Sequence, residues 1–238
     1  MSHLSAARIL GLPLPPAVDG RVSLTRRPPA PTSGPRSTPG VGVAVHLTGY
    51  DDADVVEVDG VPVLAGARLV LDCCTVAPPD SALAIADAAV ATGITTCDAL
   101  VDAGDRLRGR VGADLARLVV ARTDPLSDSW FESSSRWWLM EAGLPKPELQ
   151  VPFTGPQGGV VRVDMLMRDT WTVGEADGAG KYDEPGVLFA EKRREDWLRD
   201  QHRLEVVRWV PAEMRTPRGR VAVADRFWRA FARGRRAG

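Results

Sequence analysis

The stretch WTVGEADGAGKYDEPG, residues 171–186, decides how this chain is read. It opens as a strand at Trp171, Thr172 and Val173, then runs through Glu175 and Asp177 into glycines and Lys181. Strand side chains alternate faces with a period of two, so Glu175 and Asp177 point the same way. Like charges side by side on a strand repel and add nothing to a core. The preceding run VVRVDMLM (160–167) puts Val161, Val163, Met165 and Met167 on one apolar side, with Arg162 and Asp164 on the other. The short RDT connection makes the two runs neighbouring strands, so Asp164 is expected to meet Glu175 and Asp177 across the pair. Clustered carboxylates need a cation among them, and Mg²⁺, with its hard oxygen ligands, is the usual one. Lys181 is placed to neutralise charge there or to contact a phosphate. The competing reading is a solvated strand edge with Asp177-Gly178 as an ordinary turn.

Outward from this stretch, the second half reads as alternating helices and strands. SDSWFESSSRWWLMEAG (127–143) predicts a helix capped by Ser127 or Ser129 and ended by Gly143. PELQVPF and GVVRVDMLM form a hairpin around TGPQGG, and TWTVGEAD is the third strand. VLFAEKRREDWLRDQHR (187–203) is a charged helix, LEVVRWV a fourth strand and RVAVADRFWRAFARG a closing basic helix. This α-β-β-β-α-β-α succession predicts an α/β layer structure with a mixed sheet. In the charged helix, Glu191, Arg194, Glu195 and Leu198 share one face, which suits either internal ion pairs or phosphate binding by Arg194 beside the acidic site. Eight Arg against Asp225 alone in 215–238 give a basic surface suited to nucleic-acid backbones, with Trp228 and Phe231 at the spacing of a buried stripe.

Composition changes abruptly near residue 125. All seven tryptophans and all five phenylalanines follow Asp124, whereas all three cysteines precede it. Residues 47–105 hold eleven acids and one base, Arg68, whereas 187–238 hold fourteen Lys or Arg and seven acids. The net charge of −1 hides this asymmetry, and two domains, 1–125 and 126–238, are expected. The Pro- and Gly-rich first 40 residues predict loop or extended chain. VGVAVHL (41–47) reads as a strand, and DVVEVDGVPVL (54–64) as a hairpin turning at Asp59-Gly60. Four helices follow, and the acidic run is expected to form a solvated face. Cys73, Cys74 and Cys97 read as buried hydrophobes, and His3, His46 and His202 are too few and too scattered for a zinc site. A mean hydropathy of −0.12, no long apolar run and no secretory leader point to a soluble cytoplasmic protein.

RVDMLM…VGEADG, then KY and the helix AEKRREDWLRDQHRLEVVRW, resembles the PD-(D/E)XK nuclease superfamily. More narrowly, residues 127–215 are similar to very-short-patch-repair endonucleases. The resemblance implies that Asp164 and Glu175 ligate Mg²⁺, with Asp177 as a third candidate ligand, and that Glu132 is an outer-shell acid. In that superfamily the metal and a Lys activate water against a phosphodiester. The motif Lys would fall at 177, where this chain has Asp177, so the base is either Lys181 from the loop or Asp177 itself. The segments SHLSAARILGLPLP, VVEVDGVPVLAGARLVLD and DSALAIADAAV resemble the region preceding such domains in proteins related to AbiEi-type antitoxins. Those relatives begin with a winged-helix DNA-binding unit. None fits upstream of Ser2, which implies a shortened member or a start lying further upstream.

The expectation is therefore an α/β chain: a restriction-endonuclease-like mixed sheet flanked by helices in 126–238, and a smaller α+β domain in 1–125. Its expected activity is Mg²⁺- (or Mn²⁺-) dependent cleavage of DNA, with Lys192, Arg194, Arg215 and Arg218 on the nucleic acid. The alternative is a non-catalytic regulator that binds DNA or a toxin on the same fold. A third possibility is a structural module whose acidic domain caps the basic one.

Overall fold

The computed structural model describes residues 1–17, 20–29, 42–106, 112–178 and 185–234, with backbone alone at 157 and 185–192. It is a mixed α/β chain of two compact units, Met1–Pro125 and Leu126–Gly238.

In the first unit, α1 (His3–Ile9) is followed by β1 (Val22–Arg26) and β2 (Val43–Leu47), which pair in parallel. The sequence predicts loop or extended chain over this region, which fits β1 but misses α1. Prolines 13, 15 and 16 dominate that reading, whereas Ala6 and Ala7, fully buried, let α1 pack closely on α2 (Gly66–Cys74). The hairpin of β3 (Val55–Val58) and β4 (Val61–Leu64) turns at Asp59 and Gly60. Both have positive φ, as a two-residue primed turn requires. Helices α3 (Pro79–Ala91), α4 (Cys97–Asp105) and α5 (Ala113–Arg122) complete the unit around Leu69, Leu83, Ile85, Leu100 and Val119. Thr96 caps α4 by accepting from the Ala99 amide, as the sequence suggests.

Two expectations fail here. The acidic run is not wholly a solvated face: Asp72, Asp80 and Asp87 are buried. Asp87 accepts from the Asp124 amide, and Asp72 pairs with Arg68 at 2.8 Å while burial raises its pKa to about 6. Cys97, at the first turn of α4, is exposed, unlike Cys73 and Cys74.

In the second unit, α6 (Trp130–Glu141) precedes β5 (Glu148–Thr154), β6 (Val160–Met167) and β7 (Thr172–Ala176). Then come α7 (Pro185–His202), β8 (Glu205–Trp209), α8 (Pro211–Met214), absent from the sequence reading, and α9 (Pro217–Gly234). The sheet order is β5-β6-β7-β8, antiparallel at the first two junctions and parallel between β7 and β8, where α7 makes the crossover. One apolar cluster joins Met165, Met167, Ala176, Val207 and Trp209 to Phe227 and Phe231 of α9. The other joins Val163, Leu166, Val173 and Val206 to Leu198 of α7. Phe231 is buried as expected, but Trp228 is 44% exposed, its ring set nearly perpendicular to that of Phe231.

The even alternation expected along β6 is broken. Val161 and Val163 pack into the Leu198 cluster, but Met165 and Met167 into the Phe227 cluster. The switch falls at Asp164, opposite Gln150, whose φ of +50° twists β5 out of regular strand geometry.

Candidate functional site

β6 and β7 stay in register only as far as Met165 and Gly174. Beyond that the strands part, and the Asp164 carboxylate substitutes for the missing backbone partner, accepting from the Ala176 amide at 2.9 Å. The same divergence sets Asp164 beside Glu175. On the other side of β7, Glu175 lies opposite Arg208 in the parallel ladder. Asp177, one residue past the strand, is fixed by its amide donating to the Trp209 carbonyl at 2.9 Å. The sequence thus brings Asp164, Glu175 and Asp177 to one end of the sheet.

Two arginines close over these acids. Arg194 of α7 donates to the Arg162 carbonyl and, at 3.2 Å, to Glu175. Arg208 lies 3.5 Å from Asp177 and 3.1 Å from Glu195, which also pairs with Arg199 at 2.7 Å. Arg194, expected on phosphate, is therefore engaged inside the chain. The α7 face read as an ion-pair face does carry ion pairs, with Leu198 buried beside them.

Glu175 is 4% exposed, and its pKa rises to about 8. Burial is the main cause and the neighbouring Asp164 charge adds to it, while Arg194 and Arg208 pull it back only in part. Glu132 is spent on the start of α6. It accepts from the Asp128 amide at 3.0 Å and the Ser129 hydroxyl at 2.9 Å, while Ser129 caps the helix by accepting from the Glu132 amide. Burial, with a smaller push from Asp164, raises its pKa, so it lies within electrostatic reach of the cluster. Gln150 leans towards it at 3.4 Å.

Among the described residues, no three His, Cys, Asp or Glu side chains converge into a metal cage. Lys181 and the side chain of Lys192 lie outside the described residues. Arg215 and Arg218 are exposed around the start of α9. The sequence reading missed Arg208. Its signal was there in the alternation of LEVVRWV, which sets Arg208 apart from Val207 and Trp209, but partnership with Glu175 and Asp177 required the parallel register.

The chain is 30% identical over 206 residues, 86% of its length and 74% of theirs, to two proteins of Mycobacterium tuberculosis. They are Uncharacterized protein MT2308 of strain CDC 1551 / Oshkosh and Uncharacterized protein Rv2248 of strain ATCC 25618 / H37Rv. The chain belongs to their family. No family model matches the chain, and no solved structure does. In this member of the MT2308 and Rv2248 family, the sheet end can do one of two things chemically. Its carboxylates can hold a hard cation, or its acids and arginines can stand as a closed ion-pair network.

Proposed function

We propose that the second unit is a Mg²⁺- or Mn²⁺-dependent nuclease-like domain acting on DNA. The observation that carries this reading is the juxtaposition of Asp164 and Glu175 on parting strands, two carboxylates brought together at one end of the sheet. The α-β-β-β-α-β order, with a mixed sheet flanked by helices, supports the restriction-endonuclease-like arrangement that the resemblance implies.

The donor set fits such an ion. Asp164 and Glu175 offer hard carboxylate oxygens, and Mg²⁺ commonly takes one or two carboxylates, completing its shell with water and phosphate. A cation held there would polarise a phosphodiester and acidify a water molecule. The chain's own residues have narrower tasks. The Ala176 amide orients Asp164, and Arg194 offsets the charge of Glu175. Arg208 holds Asp177, the residue at the position of the motif Lys, and exposed Arg215 and Arg218 supply backbone contacts to DNA.

Calorimetric titration with Mg²⁺ and Mn²⁺, beside plasmid cleavage, tests the reading. Binding and cleavage are expected in the parent chain, with both lost in Asp164→Ala. Failure of either ion to bind in the presence of DNA would overturn it. One observation favours a second reading: Arg194 and Arg208 already pair with Glu175 and Asp177. On that reading the domain is a regulator that binds DNA or a toxin without cutting, and DNA binding would persist in EDTA and in Asp164→Ala.

A further inference from the structure

The first unit contains a cleft of about 490 Å³ walled by α1, β1, β2 and the segment that joins α2 to α3. Its polar lining consists of Arg8, Arg21, His46, Ser5 and Ser23. No acidic residue is among the described residues that line it, although residues 47–105 hold eleven acids against one base. Leu4, Pro15 and Val76 make the remaining wall apolar. The volume is in the range of small-molecule sites, and an apolar wall with a few convergent polar groups is their usual construction.

The polar groups come from separate elements that the fold brings together. Arg8 ends α1, Arg21 precedes β1 and His46 lies on β2. Thr25 and His46 are register partners, as are Ser23 and Ala44, so Ser23 and His46 line the same face of the two-stranded sheet. The Ser23 amide donates to the Ser5 hydroxyl oxygen at 2.9 Å, which leaves the Ser5 proton to donate. His46 is fixed by stacking on His3, with ring centroids 3.6 Å apart, and its Nε2 is buried without a hydrogen-bond partner. Burial first, then the charge of Arg21, lowers the His46 pKa, so the imidazole and that guanidinium share one electrostatic environment.

We propose that this cleft binds a phosphate monoester carrying a compact apolar body. Two guanidiniums and a hydroxyl donor suit the oxygens of a phosphate, which favours charge-assisted and forked N–H bonds. The apolar wall takes the organic part. All of the described residues that line the cleft belong to the first unit.

Calorimetry of the full chain in EDTA tests this, with inorganic phosphate, phenyl phosphate and phenol as probes. Phenyl phosphate is expected to bind saturably and more tightly than inorganic phosphate, and phenol not to bind. Arg8→Gln and Arg21→Gln are each expected to weaken phenyl phosphate by about tenfold, or about 1.4 kcal/mol, with an unchanged melting temperature in the absence of ligand. Asp164→Ala is expected to leave binding intact. Absence of saturable binding by phenyl phosphate would overturn the proposal. So would full affinity in the double Arg variant, binding of phenol equal to that of phenyl phosphate, or loss of binding in Asp164→Ala.

Discussion

The Arg194 guanidinium reaches from α7 to the buried carboxylate of Glu175 on β7, 3.2 Å away, and is anchored beside it on the Arg162 carbonyl. Removing it therefore exposes the cost of the buried acid, and that cost depends on protonation. Arg194→Met is expected to destabilise the second unit by about 1 kcal/mol near pH 6, where Glu175 is largely neutral, and by about 2 kcal/mol near pH 9. Urea unfolding followed by tryptophan fluorescence checks this, because all seven tryptophans lie in the second unit. An equal loss at both pH values would show that Arg194 acts through packing alone.

Glu175 also sets the pH dependence of the parent chain. Its folded pKa of about 8 lies above the ordinary 4.5, so between those values the folded unit keeps a proton that the unfolded chain has released. Raising the pH through this window favours unfolding, with a slope of up to about 1.4 kcal/mol per pH unit from this group. Glu175→Gln is expected to flatten that slope and to be the more stable form near pH 8. A slope unchanged by the substitution would assign the pH dependence to other groups.

His3 runs the other way in the first unit. Burial, with help from the His46 and Arg68 charges, lowers its pKa from 6.5 to about 3. The unfolded chain then binds the extra proton between those values, and the first unit loses stability as pH falls below 6.5. His3→Gln is expected to lessen that acid sensitivity in far-UV circular dichroism melts, with the lowered pKa of His46 keeping the remainder.

Gly174 is required for packing rather than for backbone freedom. A Cβ there would sit 2.9 Å from the Phe227 ring and 3.0 Å from that of Trp209, two buried side chains that pack on each other. Gly174→Ala is expected to cost about 1–3 kcal/mol by overpacking, read as a lower urea midpoint in tryptophan fluorescence. A midpoint equal to the parent's would mean that the rings yield without penalty.

Glu132 separates a structural role from a site role. Gln keeps a carbonyl oxygen for the Asp128 amide, and its own amide can donate to the Ser129 hydroxyl, so Glu132→Gln is expected to change stability by less than about 0.5 kcal/mol. It removes the charge that reaches Asp164, and so is expected to weaken Mg²⁺ binding several-fold in calorimetry. Unchanged affinity would confine Glu132 to the helix cap.

Local chemistry was legible throughout. Thr96 and Ser129 mark helix starts, Gly143 with φ of +86° a helix end, and Asp59-Gly60 a hairpin, because each satisfies backbone geometry within a few residues. Asp164 and Glu175 were placed together because a four-residue connection, Arg168 to Trp171, forces their strands to pair. What the sequence pattern missed depends on distant partners. The switch of faces at Asp164 arises from the twist at Gln150 on another strand, and the burial of Asp72 and Asp87 from helices packed around them.

By itself, then, the sequence determined the order of elements from β2 onward apart from α8, the change of composition near residue 125 and the presence of acids at the end of the third strand of the second unit. These depend on hydrophobic period, capping chemistry and composition, all short-range properties of the chain. Only the tertiary structure decided that Arg194 and Arg208 close over those acids. It also decided that Glu175 holds its proton to about pH 8, and that Arg8, Arg21 and His46 share one cleft. Burial, and the charges that meet within it, depend on which elements pack together, and no local pattern encodes that.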